Sequence, residues 1–265
     1  MKILNKKYDL GNGLNKKIVL ISDMHYYSKK DIIRLNYVLD NIKKINPDYI
    51  CISGDILDKS NVLDFYLLIQ WLKKLSNITK VIATLGNHEF YNNKRKKIYR
   101  LNHKYINQIK KIQNLYLLNN ENKIIDNINF IGLVLPIEHY MLSYEKEEEF
   151  KSYIKTIETD NKHYNVLLCH SPVNISKKEI LSKINVDLVL CGHMHGGLVP
   201  RFLRFLFRTK GLISPQKSLF PKYVYGNIKV ENKNVIITSG IKILSESHLL
   251  FSSNIFYSEI VEINL

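Results

Sequence analysis

The sequence predicts an α/β fold of two packed mixed β-sheets flanked by helices. Three observations carry this. Apolar runs of strand length alternate with helix-period segments through the first half of the chain, as in a parallel sheet covered on both faces. The runs of the second half follow one another with less helix between them, so they form a second sheet packed on the first. Carboxylate, amide and imidazole side chains stand directly after five of the runs.

In chain order, KIVLIS (17–22) is a strand buried on both faces. Ser28-x-x-Asp31 caps a helix on which Ile32, Leu35, Val38, Leu39, Ile42 and Ile45 recur at helical spacing, and Asn46-Pro47 ends it. DYICIS (48–53) is the next strand, FYLLIQWLKKL (65–75) the next helix and KVIATL (80–85) the third strand. The second half supplies INFIGLVL (128–135), YNVLLC (164–169), VDLVLC (186–191), NVIITS (234–239) and IFYSEIVEINL (255–265). EKEEEF (145–150), followed by KSYIKTI, reads as one solvated helix. No repeat, Gly/Ser linker or other clear boundary divides the chain. Residues 1–265 therefore read as one domain, with a basic-aromatic insertion at about 198–226.

The 265 residues include 39 Lys+Arg and 24 Asp+Glu, a formal charge of +15. With 45% hydrophobic residues the chain has enough apolar mass for a substantial core, which excludes a disordered class. The excess charge lies in two acid-free windows. One, from Phe90 to Asn120, holds Lys94, Arg95, Lys96, Lys97, Arg100, Lys104, Lys110 and Lys111. The other, from Gly196 to Val230, holds Arg201, Arg204, Arg208, Lys210, Lys217, Lys222 and Lys229. A nucleic acid, an anionic membrane or a phosphorylated substrate would suit them, and so would plain solvation. Cys51, Cys169 and Cys191 form no CxxC pair and read as small buried residues in a reducing compartment. The N-terminal stretch has no signal-peptide-like apolar block, and no 18-residue apolar run occurs, so the expectation is a cytoplasmic protein, soluble or peripheral on the inner membrane face.

The informative residues sit at the strand ends. KIVLIS runs into Asp23-Met24-His25, CIS into Gly54-Asp55-Ile56-Leu57-Asp58, and IATL into Gly86-Asn87-His88-Glu89. LLC runs into His170, and LVLC into Gly192-His193-Met194-His195-Gly196-Gly197. Open α/β sheets bind ligands beyond the carboxyl ends of their strands, so these groups converge on one edge. Hard and borderline divalent cations accept such a mixture of oxygen and imidazole nitrogen, whereas a structural zinc site would use cysteine. The donors are too many for one ion and suit two, about 3.5–4 Å apart across a bridging carboxylate.

The ordered set DMH, GDILD, GNHE, His170 and GHMH resembles the calcineurin-like metallophosphoesterase superfamily, over roughly Lys17 to Gly197. The resemblance implies an α-β-β-α sandwich with Asp23, His25 and His195 on one metal, Asn87, His170 and His193 on the other, and Asp55 bridging. His88 would face the scissile phosphate and support leaving-group departure, held by Asp58. The implied cofactors are two divalent ions, with Mn, Fe, Zn and Co all compatible. The implied chemistry is in-line attack of an activated hydroxide on a phosphate ester.

Where relatives that act on phosphoproteins carry clamping arginines, Leu85 and Lys59 stand here, which turns the expectation toward a phosphodiester or pyrophosphate. LISPQ (212–216) and FPKYVYG (220–226) resemble the bacterial YkuE/YaeI-type phosphodiesterase branch, which implies a lipid-linked substrate among the candidates. A nuclease or nucleotide phosphodiesterase is the alternative, and a catalytically silent scaffold of the same fold a third. Pro200-RFLRFLFR is expected to form a helical turn with Arg201, Arg204 and Arg208 within about 60° of one another. Such a turn suits either an anionic membrane or a local core with the arginines in solvent. His103, His139, His163 and His248 lack ligand spacing.

Overall fold

Each expected strand has its counterpart in one of two β-sheets, but the C-terminal one, expected with the other second-half runs in the second sheet, pairs within the first. The computed structural model describes residues 3–93, 98–141, 147–173, 175–241, 256 and 258–265. Its strands are β1 (Ile3–Asp9), β2 (Lys17–Ile21), β3 (Tyr49–Ser53), β4 (Lys80–Thr84), the small pair β5 (Tyr91–Asn93) and β6 (Ile98–Tyr99), β7 (Leu115–Leu117), β8 (Glu121–Ile125), β9 (Ile128–Leu133), β10 (Tyr164–Cys169), β11 (Leu188–Cys191), β12 (Gly226–Val230), β13 (Lys233–Ile237) and β14 (Ser258–Asn264). Its helices are α1 (Asp31–Ile45), α2 (Tyr66–Ser76), α3 (His103–Ile109), α4 (Glu138–Met141), α5 (Glu147–Ile154), α6 (Lys178–Leu181) and α7 (Arg204–Phe207).

The first sheet has the order β1-β14-β2-β3-β4-β7 and the second β12-β13-β11-β10-β9-β8. β2, β3, β4 and β7 run parallel, and so do β13, β11, β10 and β9. The antiparallel pairs β14–β2, β12–β13 and β8–β9 make both sheets mixed.

The continuous apolar runs have a direct cause. Ile18 and Leu20 of β2, Cys51 of β3 and Ile82 of β4 face Phe130, Val166, Leu168, Leu188 and Leu190 of the second sheet in one buried layer. Their neighbours Val19, Ile21, Ile50, Ile52 and Val81 turn the other way, against α1, α2 and α3. Ile131, Leu167, Val189 and Val235 do the same on the outer face of the second sheet, with Phe150 of α5 and Ile180 and Leu181 of α6. A strand with both faces covered shows no alternation. Truncating a side chain such as Phe130 in the middle layer would cost about 3–5 kcal/mol.

Some local expectations are corrected. Ser28 does not cap α1 with its hydroxyl; instead Asp31 reaches back and accepts from the amides of Tyr27 (2.9 Å) and Ser28 (3.0 Å). The carboxylate satisfies donors ahead of the helix from its first residue. Of the solvated helix expected over EKEEEF and KSYIKTI, α5 covers Glu147–Ile154, and it is not fully solvated, because Phe150 is completely buried; residues 142–146 lie outside the described set. β1 carries the mixed pattern ILNKKYD and gave no strand signal, yet it pairs with β14 along its whole length. No helix among the described residues is long and apolar enough to cross a membrane.

β14 also carries a buried acid, Glu259. Burial raises its pKa to about 7, against the opposing pull of Arg204 and hydrogen bonds from Tyr225, Ser239 and Thr238. Below its ordinary value of 4.5 the carboxyl is neutral in folded and unfolded chains alike, and the folded state keeps that stability. As pH rises through about 7 the buried group must ionise, and on the order of 3 kcal/mol is lost. Glu89, raised in the same direction, adds to the slope. Glu259→Gln is therefore expected to flatten, without abolishing, the decline in unfolding free energy between about pH 4.5 and about pH 8, measured by urea titration at each pH.

Candidate metal centre

The five chemistry-bearing segments meet at the carboxyl ends of β2, β3, β4, β10 and β11. Asp23, His25, Asp55, His193 and His195 leave their strands with positive φ, between 45° and 67°. This region is costly for residues with a Cβ. Backbone bonds between the loops hold it: Asp23 N–H to Gly54 O (3.2 Å), His25 N–H to Asp55 O (3.0 Å) and Gly192 N–H to His170 O (2.9 Å). Gly86 has to lack a side chain, because a Cβ there would stand 2.2 Å from Asp55 Oδ1.

Three overlapping donor groups result: Asp23 with His25 and His195, His25 with Asp55 and His88, and Asp55 with His170 and His193. Within each group the ligand atoms lie within 4.8 Å of one another. Asp23 Oδ1 stands 3.7 Å from His25 Nε2, 3.8 Å from His195 Nε2 and 3.9 Å from His170 Nε2. Asp55 Oδ2 lies 3.1 Å from His170 Nε2 and 3.8 Å from His25 Nε2. Asp23 Oδ1 and Asn87 Oδ1 are buried acceptors with no hydrogen-bond partner. Buried oxygens rarely stay unmatched, and a cation would satisfy both, so the donor set fits divalent metal.

Protonation follows the same pattern. Burial alone would raise Asp23 and Asp55, yet His195 and His25 beside the first, and His170 and His88 beside the second, hold both below the ordinary carboxylate range. Burial pushes His193 down to about 3, with repulsion from His170, and His195 down to about 4. Both imidazoles are neutral at pH 7 and offer a lone pair. His170, which burial would lower, is carried up to about 9 by Asp55 and Asp23. Its Nδ1–H donates to Ser53 O (2.6 Å), which leaves Nε2 directed at the two carboxylates.

His88 sits against His25, their ring centroids 4.4 Å apart, and its Nδ1 is hydrogen-bonded to Asp58. The contact is made by the main-chain carbonyl of Asp58, whereas the carboxylate expected for this role has its Oδ1 3.7 Å from His25 Nδ1. Leu85 is buried in the core and Lys59 lies over the Tyr27 ring, so neither supplies a clamping guanidinium.

Three contributors stood in the sequence with no role at the centre assigned to them. Glu89, completely buried, accepts from the amides of Asp55 (3.1 Å), Ile56 (2.7 Å), Leu57 (2.9 Å) and Gly86 (2.7 Å), tying the Asp55 loop to the Asn87 loop. Gln216 places its amide 2.8 Å from His193 Nε2. Arg204 donates to Gly196 O (2.7 Å) and Ser239 Oγ (3.3 Å) with its guanidinium over Tyr225, and so braces the loop that carries His195. The last two belong to the basic-aromatic stretch, whose arginines were expected at the surface; Arg201 too donates inward, to Phe256 O (2.9 Å). Of the first basic window, Arg100, Lys104, Lys110 and Lys111 are exposed, and residues 94–97 lie outside the described set. The three cysteines are buried and free. His139 is buried and 3.8 Å from Glu149, His163 pairs with Asp160, and neither belongs to the centre's donor groups.

The chain is thus a two-sheet α/β sandwich with grouped aspartate and histidine donors at its strand ends. Residues 16–197 match the calcineurin-like phosphoesterase family, and the chain belongs to it. An uncharacterized metallophosphoesterase of Helicobacter pylori strain J99 is 28% identical over 187 residues, which cover 69% of this chain and 45% of that protein. One from Aquifex aeolicus strain VF5 is 29% identical over 204 residues, 76% of this chain and 72% of that one. The chain thus spans about half the length of the Helicobacter relative. A dimetal phosphatase of Danio rerio is similar in structure at a TM-score of 0.43, with 12% identity over 85% of this chain and 88% of that chain.

Glu89→Ala would leave four buried amides without their acceptor. The expected outcome is a loss of at least ~3 kcal/mol in urea unfolding, with Mn²⁺ affinity about 10–100-fold weaker by calorimetric titration. An unchanged unfolding midpoint would show that the amides find other partners.

Proposed function

We propose that this chain hydrolyses a phosphodiester or pyrophosphate bond, on a lipid-linked substrate, at a centre of two divalent ions. The observation that carries the reading is the pair of donor groups, Asp23–His25–His195 and Asp55–His170–His193, side by side with His88 against them. Asp23, His25 and His195 would hold one ion, Asn87, His170 and His193 the other, and Asp55 both. When bound, the ions supply Lewis acidity toward phosphoryl oxygens and lower the pKa of water toward neutrality.

The protein's own groups then divide the remaining work. Neutral His193 and His195 would coordinate without a proton to displace. His88, its Nδ1–H anchored on the Asp58 carbonyl, keeps Nε2 for the leaving oxygen; burial favours its neutral form, so it would donate to that oxygen as the imidazolium, which the nearby Asp55 carboxylate favours. With Leu85 in the core and Lys59 on Tyr27, no arginine pair from these two positions grips a terminal phosphomonoester, which supports a diester or pyrophosphate. The free buried cysteines support a reducing, cytoplasmic setting.

The exposed Arg100, Lys104, Lys110 and Lys111 favour a second reading, a nuclease or nucleotide phosphodiesterase. In that case DNA or RNA would be cleaved faster than lipid-linked pyrophosphates, with affinity falling steeply as salt rises.

Protein loaded with Mn²⁺ is expected to turn over bis-p-nitrophenyl phosphate and to lose that activity on chelation. His88→Ala should lower kcat by about 10²–10⁴-fold. Asp58→Asn should lower it far less, because the main-chain carbonyl that holds His88 survives the change. Unchanged turnover in His88→Ala would sink the reading.

A further inference from the structure

The stretch between the His195 loop and β12 has the reverse polarity of a packed amphipathic turn. Arg201 and Arg204 point inward, to Phe256 O and to Gly196 O and Ser239. The apolar side chains of the same turn point out: Phe202, Phe205 and Leu206 are between 63% and 75% exposed. The chain then folds back on itself, with Gly211 N–H bonded to Pro221 O, Phe220 N–H to Leu212 O and Val224 N–H to Thr209 O. This return sets Leu219 and Phe220, also about two-thirds exposed, on the same protrusion. Arg208, Lys210, Lys217 and Lys222 are exposed among them, and no acid occurs from Gly196 to Val230.

Several exposed large apolar side chains on one small protrusion mark an interaction surface rather than ordinary scatter. Interleaved with cations alone, they match a partner that is apolar inside and negative at its face. We propose that residues 200–223 seat the protein on an anionic lipid bilayer, with Phe202, Phe205, Leu206, Leu219 and Phe220 entering the acyl boundary and the four cations meeting headgroups. The protrusion is fastened to the metal centre itself. Leu212 N–H donates to Gly197 O (2.8 Å), Arg204 holds Gly196, and Gln216 reaches His193. A docked protein therefore has its donor groups directly behind the bilayer contact. The surface deepens the lipid-linked reading above but is measurable without turnover.

The test is co-sedimentation of the metal-loaded protein with phosphatidylcholine vesicles and with vesicles that also contain phosphatidylglycerol. Wild type is expected to bind the anionic vesicles at least about tenfold more tightly, and less so as salt rises. Phe202→Ser/Phe205→Ser/Leu206→Ser should weaken that binding at least about tenfold, with thermal unfolding confirming that the variant is folded. Lys217→Glu/Lys222→Glu, on exposed positions, should remove the preference for anionic lipid. Failure of wild type to bind either vesicle, or equal binding by the triple variant, overturns the proposal. So does a dimer in sedimentation equilibrium that the triple variant abolishes, or salt-sensitive binding of nucleic acid without binding of vesicles. Turnover of soluble bis-p-nitrophenyl phosphate by wild type is read separately. Vesicle binding without turnover strikes the phosphoesterase reading, and turnover without vesicle binding strikes the docking surface.

Discussion

Taking a carboxylate out of water costs several kcal/mol unless charges or donors surround it, and this molecule buries Asp23, Asp55 and Glu89 within one small volume. Each is compensated differently. Imidazoles surround Asp23 and Asp55 and keep them ionised, while four main-chain amides converge on Glu89. Much of the local architecture follows from that requirement. Gly86 has no side chain because Asp55 needs the space, and Ser53 offers its carbonyl to His170 so that Nε2 turns to the acids. Compensation from within the protein is still incomplete, since Asp23 Oδ1 and Asn87 Oδ1 have no hydrogen-bond partner. That remaining deficit suits the centre to a cation.

The same requirement explains why strained backbone persists there. Asp23, His25, Asp55, His193 and His195 all occupy the left-handed region, at a cost of order 1–3 kcal/mol each. A loop free in solvent would relax. These loops are too short to relax, because each begins at the end of a strand buried on both faces and is bonded to its neighbours by main-chain amides. Two rigid sheets therefore act as the frame that fixes donor atoms within coordination range of one another.

Legibility in the sequence tracked burial. β2, β3, β4, β10 and β11 were readable to within two residues, since a strand covered on both faces has to be apolar throughout. β1 and β8 were not, because edge strands with exposed lysines and asparagines carry little pattern, and β1 is recruited by β14 from the other end of the chain. The motif residues were readable because glycines, acids and histidines stand directly after apolar runs. Glu89 was visible as a letter of GNHE, but its task depends on amides of a loop more than thirty residues away. Gln216 and Arg204 belong to no metal-ligand pattern, and only the folded chain shows that they reach His193 and Gly196.

The polarity of residues 200–208 separates the two levels of information most clearly. Helical spacing told which side chains share a face and nothing about which face meets the protein, because periodicity is symmetric between inside and outside. The tertiary structure decided it, since the carbonyls of Gly196 and Phe256 and the hydroxyl of Ser239 lie within reach of the arginines and leave the phenylalanines outward. By itself the sequence determined the class of fold, the edge of the sheets where chemistry gathers and the donor types present there, because these depend on local pattern and residue chemistry. Which donors come within a few ångströms of each other, which atom of Asp58 holds His88, and which way the basic-aromatic stretch faces depend on contacts between distant segments, and only the folded chain sets those.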